Sequence, residues 1–243
     1  MSSAAPSEVT QAVVLVGGKG TRLGGLTSET PKPLLDVGGR PFLEWVLARL
    51  GRQGIDRVVL TAGYRIEALR AWLHAATLDI EVDVFVEDEP LGTGGAFPAM
   101  VDRLDDRFFA LNGDTLFDVD LGDLTLAAGE GECAVALRQV EDTARYGRVR
   151  QDGSRVTAFA EKASGGPGWI NGGVYLLQRD VVATLPQPAS LEDDLLPALA
   201  RDRALVGVRS NGFFIDIGVP ESYAAAQRSV PEWWATKYPL ARS

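Results

Sequence analysis

Cysteine and histidine are almost missing from this chain: Cys133 and His74 are single occurrences in 243 residues. One cysteine excludes an internal disulfide and a Cys-rich zinc site, and one histidine leaves little material for a histidine triad or metal cluster. Both read as structural, Cys133 opening an apolar run and His74 ending a helix where a cation is mildly favoured. Basic residues are also in deficit, 24 Lys and Arg against 33 Asp and Glu, for a formal net charge of −9. That balance argues against a nucleic-acid partner, which needs clustered cations to displace counterions. No run approaches the roughly 20 apolar residues of a membrane span, and residues 1–10 lack the basic start and apolar core of a signal peptide. The expectation is a cytoplasmic protein without a membrane partner. No Pro/Gly/Ser-rich linker, low-complexity run or internal repeat divides the sequence, so one globular domain is expected at 46% hydrophobic and 23% charged residues.

What is present alternates strand and helix. Residues 12–16 form an apolar, β-rich run ending in glycines, as expected of a strand buried on both faces. A helix is predicted over 41–53, with Phe42, Trp45, Val46 and Leu50 at helical spacing. Strand 57–62, helix 64–74, strand 80–86, helix 95–103 and strand 108–111 follow, the last running into Asn112-Gly113-Asp114. Such alternation implies parallel pairing with right-handed crossovers. Strands then dominate, over 133–140, 147–151, 155–160 and 169–177, which suggests an α+β second half on the same sheet. A helix at 191–201, strands at 204–209 and 213–217, and a helix at 220–228 complete the pattern. Trp233, Trp234 and Tyr238 lie beyond that helix, and an aromatic cluster in a tail motivates the expectation of a homodimer.

Val16-Gly17-Gly18-Lys19-Gly20-Thr21-Arg22 follows the first strand. Glycines there let backbone N–H groups approach an anion closely. No Gly-Lys-Ser/Thr occurs, which excludes a P-loop, and the second strand ends Thr61-Ala62-Gly63 without the acid of a dinucleotide fingerprint. Arg22 and Lys32 supply cations, with Pro31 and Pro33 stiffening the chain around Lys32. The order Gly17-Gly18-Lys19-Gly20-Thr21-Arg22-Leu23 followed by Pro31-Lys32-Pro33-Leu34 resembles the signature of the sugar-1-phosphate nucleotidyltransferases. Gly24-Gly25 departs from it where many members have a residue and then proline.

That resemblance extends along the chain. Asp114, in a Gly-Asp pair after an apolar strand, and Asp216, in Asp216-Ile217-Gly218-Val219-Pro220-Glu221, match the family's metal carboxylates. Two Asp residues with phosphate oxygens and water suit octahedral magnesium. Glu161-Lys162, Asn171-Gly172-Gly173-Val174-Tyr175 and Ser190-Leu191-Glu192-Asp193-Asp194 resemble its sugar-side segments. The resemblance implies a single Rossmann-like α/β domain, similar to the GT-A fold, with a mixed, mostly parallel sheet over residues 11–228. Residues 11–118 would be the nucleotide-binding half, 119–228 an α+β sugar-binding half, and 229–243 a C-terminal tail. It further implies that Val16, Gly17, Gly18, Gly20, Thr21, Arg22, Lys32, Glu87, Gly92 and Thr93 bind the nucleotide. Asn112, Gly147, Glu161, Lys162, Asn171, Gly172 and Glu192 would bind the sugar phosphate, and Arg22, Lys32, Asp114, Lys162 and Asp216 would carry catalysis. The acceptor phosphate is ionised near neutral pH, so a chain almost free of histidine needs no general base. Catalysis would be positioning and charge neutralisation.

Glu87 stands where uridylyl- and thymidylyl-transferring relatives commonly have Gln. Guanine presents a ring N–H beside an amino group, and a carboxylate with two acceptor oxygens complements that pair, so GTP is the expected donor. Within the family, Pro90-Leu91-Gly92-Thr93-Gly94-Gly95-Ala96, Leu111-Asn112-Gly113-Asp114-Thr115 and the short chain most resemble the D-glycero-α-D-manno-heptose 1-phosphate guanylyltransferases. A heptose 1-phosphate is therefore the expected acceptor, with a mannose 1-phosphate guanylyltransferase, or a uridylyl-, thymidylyl- or adenylyl-transferring relative, as the alternative. A glycosyltransferase would need an Asp-x-Asp motif, matched in spacing by Asp118-Val119-Asp120 but in a weaker strand context than Asp114. A non-catalytic sugar-nucleotide sensor would be expected to lose an Arg or a metal ligand, and none is lost.

Overall fold

The computed structural model describes residues 9–18, 20–28, 30–160 and 165–239. Its strands are β1 (Gln11–Leu15), β2 (Asp36–Val37), β3 (Arg40–Pro41), β4 (Arg57–Ala62), β5 (Glu81–Val86), β6 (Arg107–Asn112), β7 (Thr115–Phe117), β8 (Cys133–Val140), β9 (Val149–Asp152), β10 (Arg155–Phe159), β11 (Gly168–Gln178), β12 (Leu205–Ser210) and β13 (Phe214–Asp216). Its α-helices are α1 (Phe42–Gly51), α2 (Ile66–Ala75), α3 (Gly92–Ala99), α4 (Leu121–Ala127), α5 (Arg179–Val182), α6 (Leu196–Arg201) and α7 (Pro220–Lys237).

Nine strands form one sheet in the order β5-β4-β1-β6-β11-β8-β12-β10-β9, within which β11 and β10 run against the rest. The sheet is buried on both faces because its strands alternate apolar residues to each side. On β1, Ala12 and Val14 join a cluster with Phe42, Trp45 and Val46 of α1 and with Ala226 and Val230 of α7. Val13 joins the opposite cluster, with Phe97 of α3 and Leu196 and Leu199 of α6. Cys133 is fully buried at the start of β8, and burial pushes its thiol up to about 11.

The first four parallel strands position the site. From β1 the chain steps outward to β4 and β5, then returns to the other side of β1 as β6. This reversal of strand order opens a crevice beyond the carboxyl ends of β1 and β6, where open α/β sheets take their ligands. Val16, Gly63, Glu87 and Asp114 all emerge at this edge, each just past the end of its strand.

Several expectations are corrected. Helix α3 starts at Gly92 rather than Gly95, because its first turn docks on residues 189–191: Gly94 N–H donates to Ala189 C=O at 2.9 Å, and Gly95 N–H at 3.2 Å. Gly92 has φ +77°, and a Cβ there would lie 2.3 Å from the Ala189 carbonyl oxygen, so the position excludes a side chain. The last helix continues to Lys237 instead of ending at Arg228. Its aromatic residues pack inside the chain: Trp233 stacks on Phe213 with centroids 5.0 Å apart, and Trp234 meets the Trp45 edge at 5.4 Å. The aromatic argument for a homodimer therefore lapses. Asp118 and Asp120 are structural, Asp118 pairing with Lys237 at 3.1 Å and Asp120 capping α4 through Gly122 N–H at 2.8 Å. That removes the motif on which the glycosyltransferase alternative rested.

Candidate active site

Two cavities of about 670 and 710 Å3 lie along the crevice, and Arg22, Asn112 and Asp114 line both. The first takes in the glycine loop, Lys32, Tyr64, Glu87, Gly92 and Thr93. The second takes in Arg145, Tyr146, Asn171, Gly172, Glu192 and Asp216. Of the residues expected to bind nucleotide, all but Arg22 line the first cavity only, while Asn171, Gly172 and Glu192, expected on the sugar side, line the second only.

At the first end, Val16 N–H donates to Thr61 C=O at 3.0 Å and turns the chain off β1 into the loop. Gly20 takes φ +64°, and a 3-10 segment (Thr21–Thr27) follows, tied back by the Thr27 hydroxyl to Gly20 C=O at 3.2 Å. Arg22 stands exposed where the cavities meet, without an ion-pair partner among the described residues. Glu87 is fixed in place: its N–H bonds Ala62 C=O at 2.8 Å, and its Oε2 accepts from Leu91 N–H at 3.0 Å. Its Oε1 lies 3.0 Å from where a Gly17 Cβ would stand, so the loop glycine makes room for the carboxylate. The Tyr64 hydroxyl, overlooked in the sequence, donates to Thr27 C=O at 3.2 Å and joins this wall to the loop.

The centre holds the charges. Pro31 leads into a 3-10 turn (Lys32–Leu34) that buries Lys32 to 7% exposure with its ammonium paired to Asp114. A buried ammonium requires such a partner. Asp114 also accepts from the Thr115 hydroxyl at 3.1 Å. Asp216 is brought alongside by antiparallel pairing of β13 with β7, in which it faces Thr115. It is 9% exposed and accepts from Gly218 N–H at 3.0 Å, from the Arg145 guanidinium and from the Tyr146 hydroxyl. Burial first, and then the hydrogen bond to Asp216, push the Tyr146 hydroxyl well above its ordinary range, so it remains a donor. Arg145 and Tyr146 went unselected in the sequence, although they directly precede Gly147. Gly147 does not line either cavity; buried at φ +80°, it closes the turn from Thr143 that presents them.

At the sugar end, Asn171 Nδ2 donates to the Tyr175 hydroxyl at 2.8 Å, and Asn171 Oδ1 accepts from Gly173 N–H at 2.9 Å. Glu192 sits on a single π-helical turn (Leu191–Leu195) capped by Ser190, a geometry that recurs at functional positions. Glu161 and Lys162 lie outside the described residues.

Asp114, which lines both cavities, and Asp216, which lines the second, offer hard carboxylate oxygens. That donor set fits a hard divalent cation, although no cluster of three or more acidic, His or Cys ligands occurs among the described residues.

The sequence matches the family described as Nucleotidyl transferase over residues 11–232. The chain belongs to that family. As a nucleotidyl transferase it is 38% identical over 216 residues to the D-glycero-alpha-D-manno-heptose 1-phosphate guanylyltransferase of Campylobacter jejuni, covering 88% of this chain and 96% of that protein. The enzyme of the same name from Aneurinibacillus thermoaerophilus is 36% identical over 228 residues, covering 92% and 99%. The crystal structure of HddC from Yersinia pseudotuberculosis, also solved with GMP-PN, superposes with a TM-score of 0.82 at 31% identity, covering 91% of this nucleotidyl transferase and all of that chain. The mannose-1-phosphate guanylyltransferase of Mycobacterium tuberculosis is 36% identical, but the match spans 62% of its length. The mixed sheet and the single α/β domain expected from the sequence are those found.

Proposed function

We propose that this nucleotidyl transferase moves a guanylyl group from GTP to D-glycero-α-D-manno-heptose 1-phosphate, forming GDP-heptose and releasing pyrophosphate. The observation that carries the reading is one continuous groove. Glu87 stands at its nucleotide end, Glu192 at its sugar end, and Asp114 and Arg22 at the junction. The two relatives matched over nearly their whole length bear the name of that reaction.

In this reading the guanine edge donates to Glu87, whose orientation is held by Leu91 N–H. Backbone N–H groups of the glycine loop and Arg22 hold the triphosphate, and Arg22 neutralises the leaving pyrophosphate. A divalent cation, magnesium on its preference for carboxylate and phosphate oxygens, would be held by Asp114 and Asp216 and would supply positive charge against the triphosphate. Lys32, lining the nucleotide end beside Asp114, would meet the triphosphate. The sugar phosphate oxygen attacks the α-phosphorus in line, the P–O bond to pyrophosphate breaks, and no proton has to be removed from the attacking oxygen. Lys162, by the resemblance, meets the acceptor phosphate.

Among the described residues no helix is long and apolar enough to cross a membrane, and we place the reaction in the cytoplasm with its triphosphate. The test is pyrophosphate release with GTP, UTP, dTTP, ATP and CTP, each against heptose and mannose 1-phosphates. Release confined to GTP with the heptose acceptor favoured supports the reading. Preference for UTP or dTTP removes the role of Glu87, and preference for mannose 1-phosphate removes the heptose assignment.

A further inference from the structure

Glu192 is held by a different set of partners than a simple sugar-binding carboxylate requires. Its Oε2 accepts the Thr93 hydroxyl at 2.7 Å, while the same hydroxyl oxygen accepts from Leu191 N–H at 2.9 Å. A hydroxyl has one proton, so the Thr93 proton is committed to Glu192. The other carboxylate oxygen, Oε1, takes the Tyr175 hydroxyl at 3.4 Å. Tyr175 is fully buried behind the cavity wall and receives hydrogen bonds from the side chains of Asn171 and Asn112. Burial and the adjacent Glu192 charge keep its hydroxyl protonated. The backbone reinforces the arrangement: Ala189 N–H bonds Leu91 C=O and Gln187 Nε2 bonds Gly95 C=O, both at 2.9 Å. The segment that would face the nucleotide is thereby fastened to the segment that carries Glu192.

We propose that Thr93 and Tyr175 are positioning residues for the acceptor sugar, each donating to one oxygen of Glu192 so that its remaining lone pairs receive sugar hydroxyls. Thr93 then serves the acceptor although it lies on the nucleotide side of the groove. The inference rests on Glu192 being a sugar ligand in the proposed reaction. The Ser190 hydroxyl also lies 3.4 Å from Oε2 but is closer to Asp193 Oδ2, at 3.1 Å, so Thr93 and Tyr175 are the donors that fix the two oxygens separately. A carboxylate offers acceptors alone, which selects hydroxyl groups over phosphate oxygens.

The experiment compares wild type with Thr93→Val, Thr93→Ser and Tyr175→Phe. It measures calorimetric affinity for GTP, KM for heptose 1-phosphate and the melting temperature. GTP binding and pyrophosphate release by the wild type come first; their absence defeats the proposed reaction itself and is read separately from the variants. Removing a hydrogen bond to a charged group is expected to raise the sugar-phosphate KM about tenfold or more in Thr93→Val and Tyr175→Phe. GTP affinity stays within about twofold, because neither hydroxyl has a proton to give the nucleotide. Thr93→Ser restores the wild-type KM. Weaker GTP binding with an unchanged sugar KM, failure of serine to rescue, or a parallel loss of both affinities with a lowered melting temperature each overturns the proposal.

Discussion

Replacing Glu87 with Gln changes one group and leaves its volume nearly constant, so the consequence follows from hydrogen-bond polarity. Leu91 N–H donates to Glu87 Oε2 at 3.0 Å, and in Glu87→Gln that N–H keeps the amide oxygen on its side. The amide NH2 then occupies the place of Oε1, against Gly17, where no side chain obstructs it. Guanine, with a ring N–H beside an amino group, would meet one acceptor and one donor in place of two acceptors. One charge-assisted hydrogen bond is lost and a donor faces a donor. The loss of a hydrogen bond to a charged group costs about 1.5–3 kcal/mol, or roughly 10- to 150-fold in kcat/KM for GTP. UTP and dTTP, which present an acceptor beside a donor, should lose nothing and may be compared directly in a pyrophosphate-coupled assay. A GTP kcat/KM within about twofold of wild type in Glu87→Gln would refute the reasoning, because it would mean that the carboxylate does not meet the base.

Three further outcomes follow from the same structure. Asp216→Asn, which weakens the proposed divalent-cation ligand and its contacts with Arg145 and Tyr146, should lower kcat/KM at least about a hundredfold. Added magnesium should recover only part of it, and full recovery would contradict the assignment. Trp234→Ala removes contacts with Trp45, Trp233 and Tyr238 and should cost about 2–3 kcal/mol in urea denaturation; a change in oligomeric mass by light scattering without a stability loss would show instead that these rings serve an interface. Cys133, with a fully buried thiol pushed up to about 11, should not react with a thiol reagent at pH 8 until the protein is denatured, and one equivalent of rapid labelling in the native protein would contradict its burial.

The sequence was most legible where burial alone decides structure. Strands β4 and β8 fall on the residues expected, 57–62 and 133–140, because both are apolar runs with no competing helical period. It was less legible where distant segments decide. Nothing near Gly92 announces a helix start; the Ala189 carbonyl, far along the chain, supplies the contact. The same holds for the antiparallel pairing of β7 with β13 and for Arg145 and Tyr146, which reach Asp216 across 71 and 70 positions. Asp114 and Lys32 were found as separate motifs, but their pairing is a product of the fold. The hydroxyl of Thr93 belongs to the same class: the resemblance implies a nucleotide contact, and only the geometry shows its proton directed to Glu192. The aromatic residues near the end of the chain misled for the opposite reason, since sequence shows their apolar character but not the core surface that receives them.

The measurement that bears most directly on the central claim is a one-pot competition. The enzyme would receive equimolar GTP, UTP, dTTP and ATP, equimolar D-glycero-α-D-manno-heptose 1-phosphate and mannose 1-phosphate, and magnesium, with products identified by mass at low conversion. The account predicts GDP-heptose as the dominant nucleotide sugar, with pyrophosphate in equal amount. A dominant GDP-mannose, or a uridine or thymidine product, would contradict it.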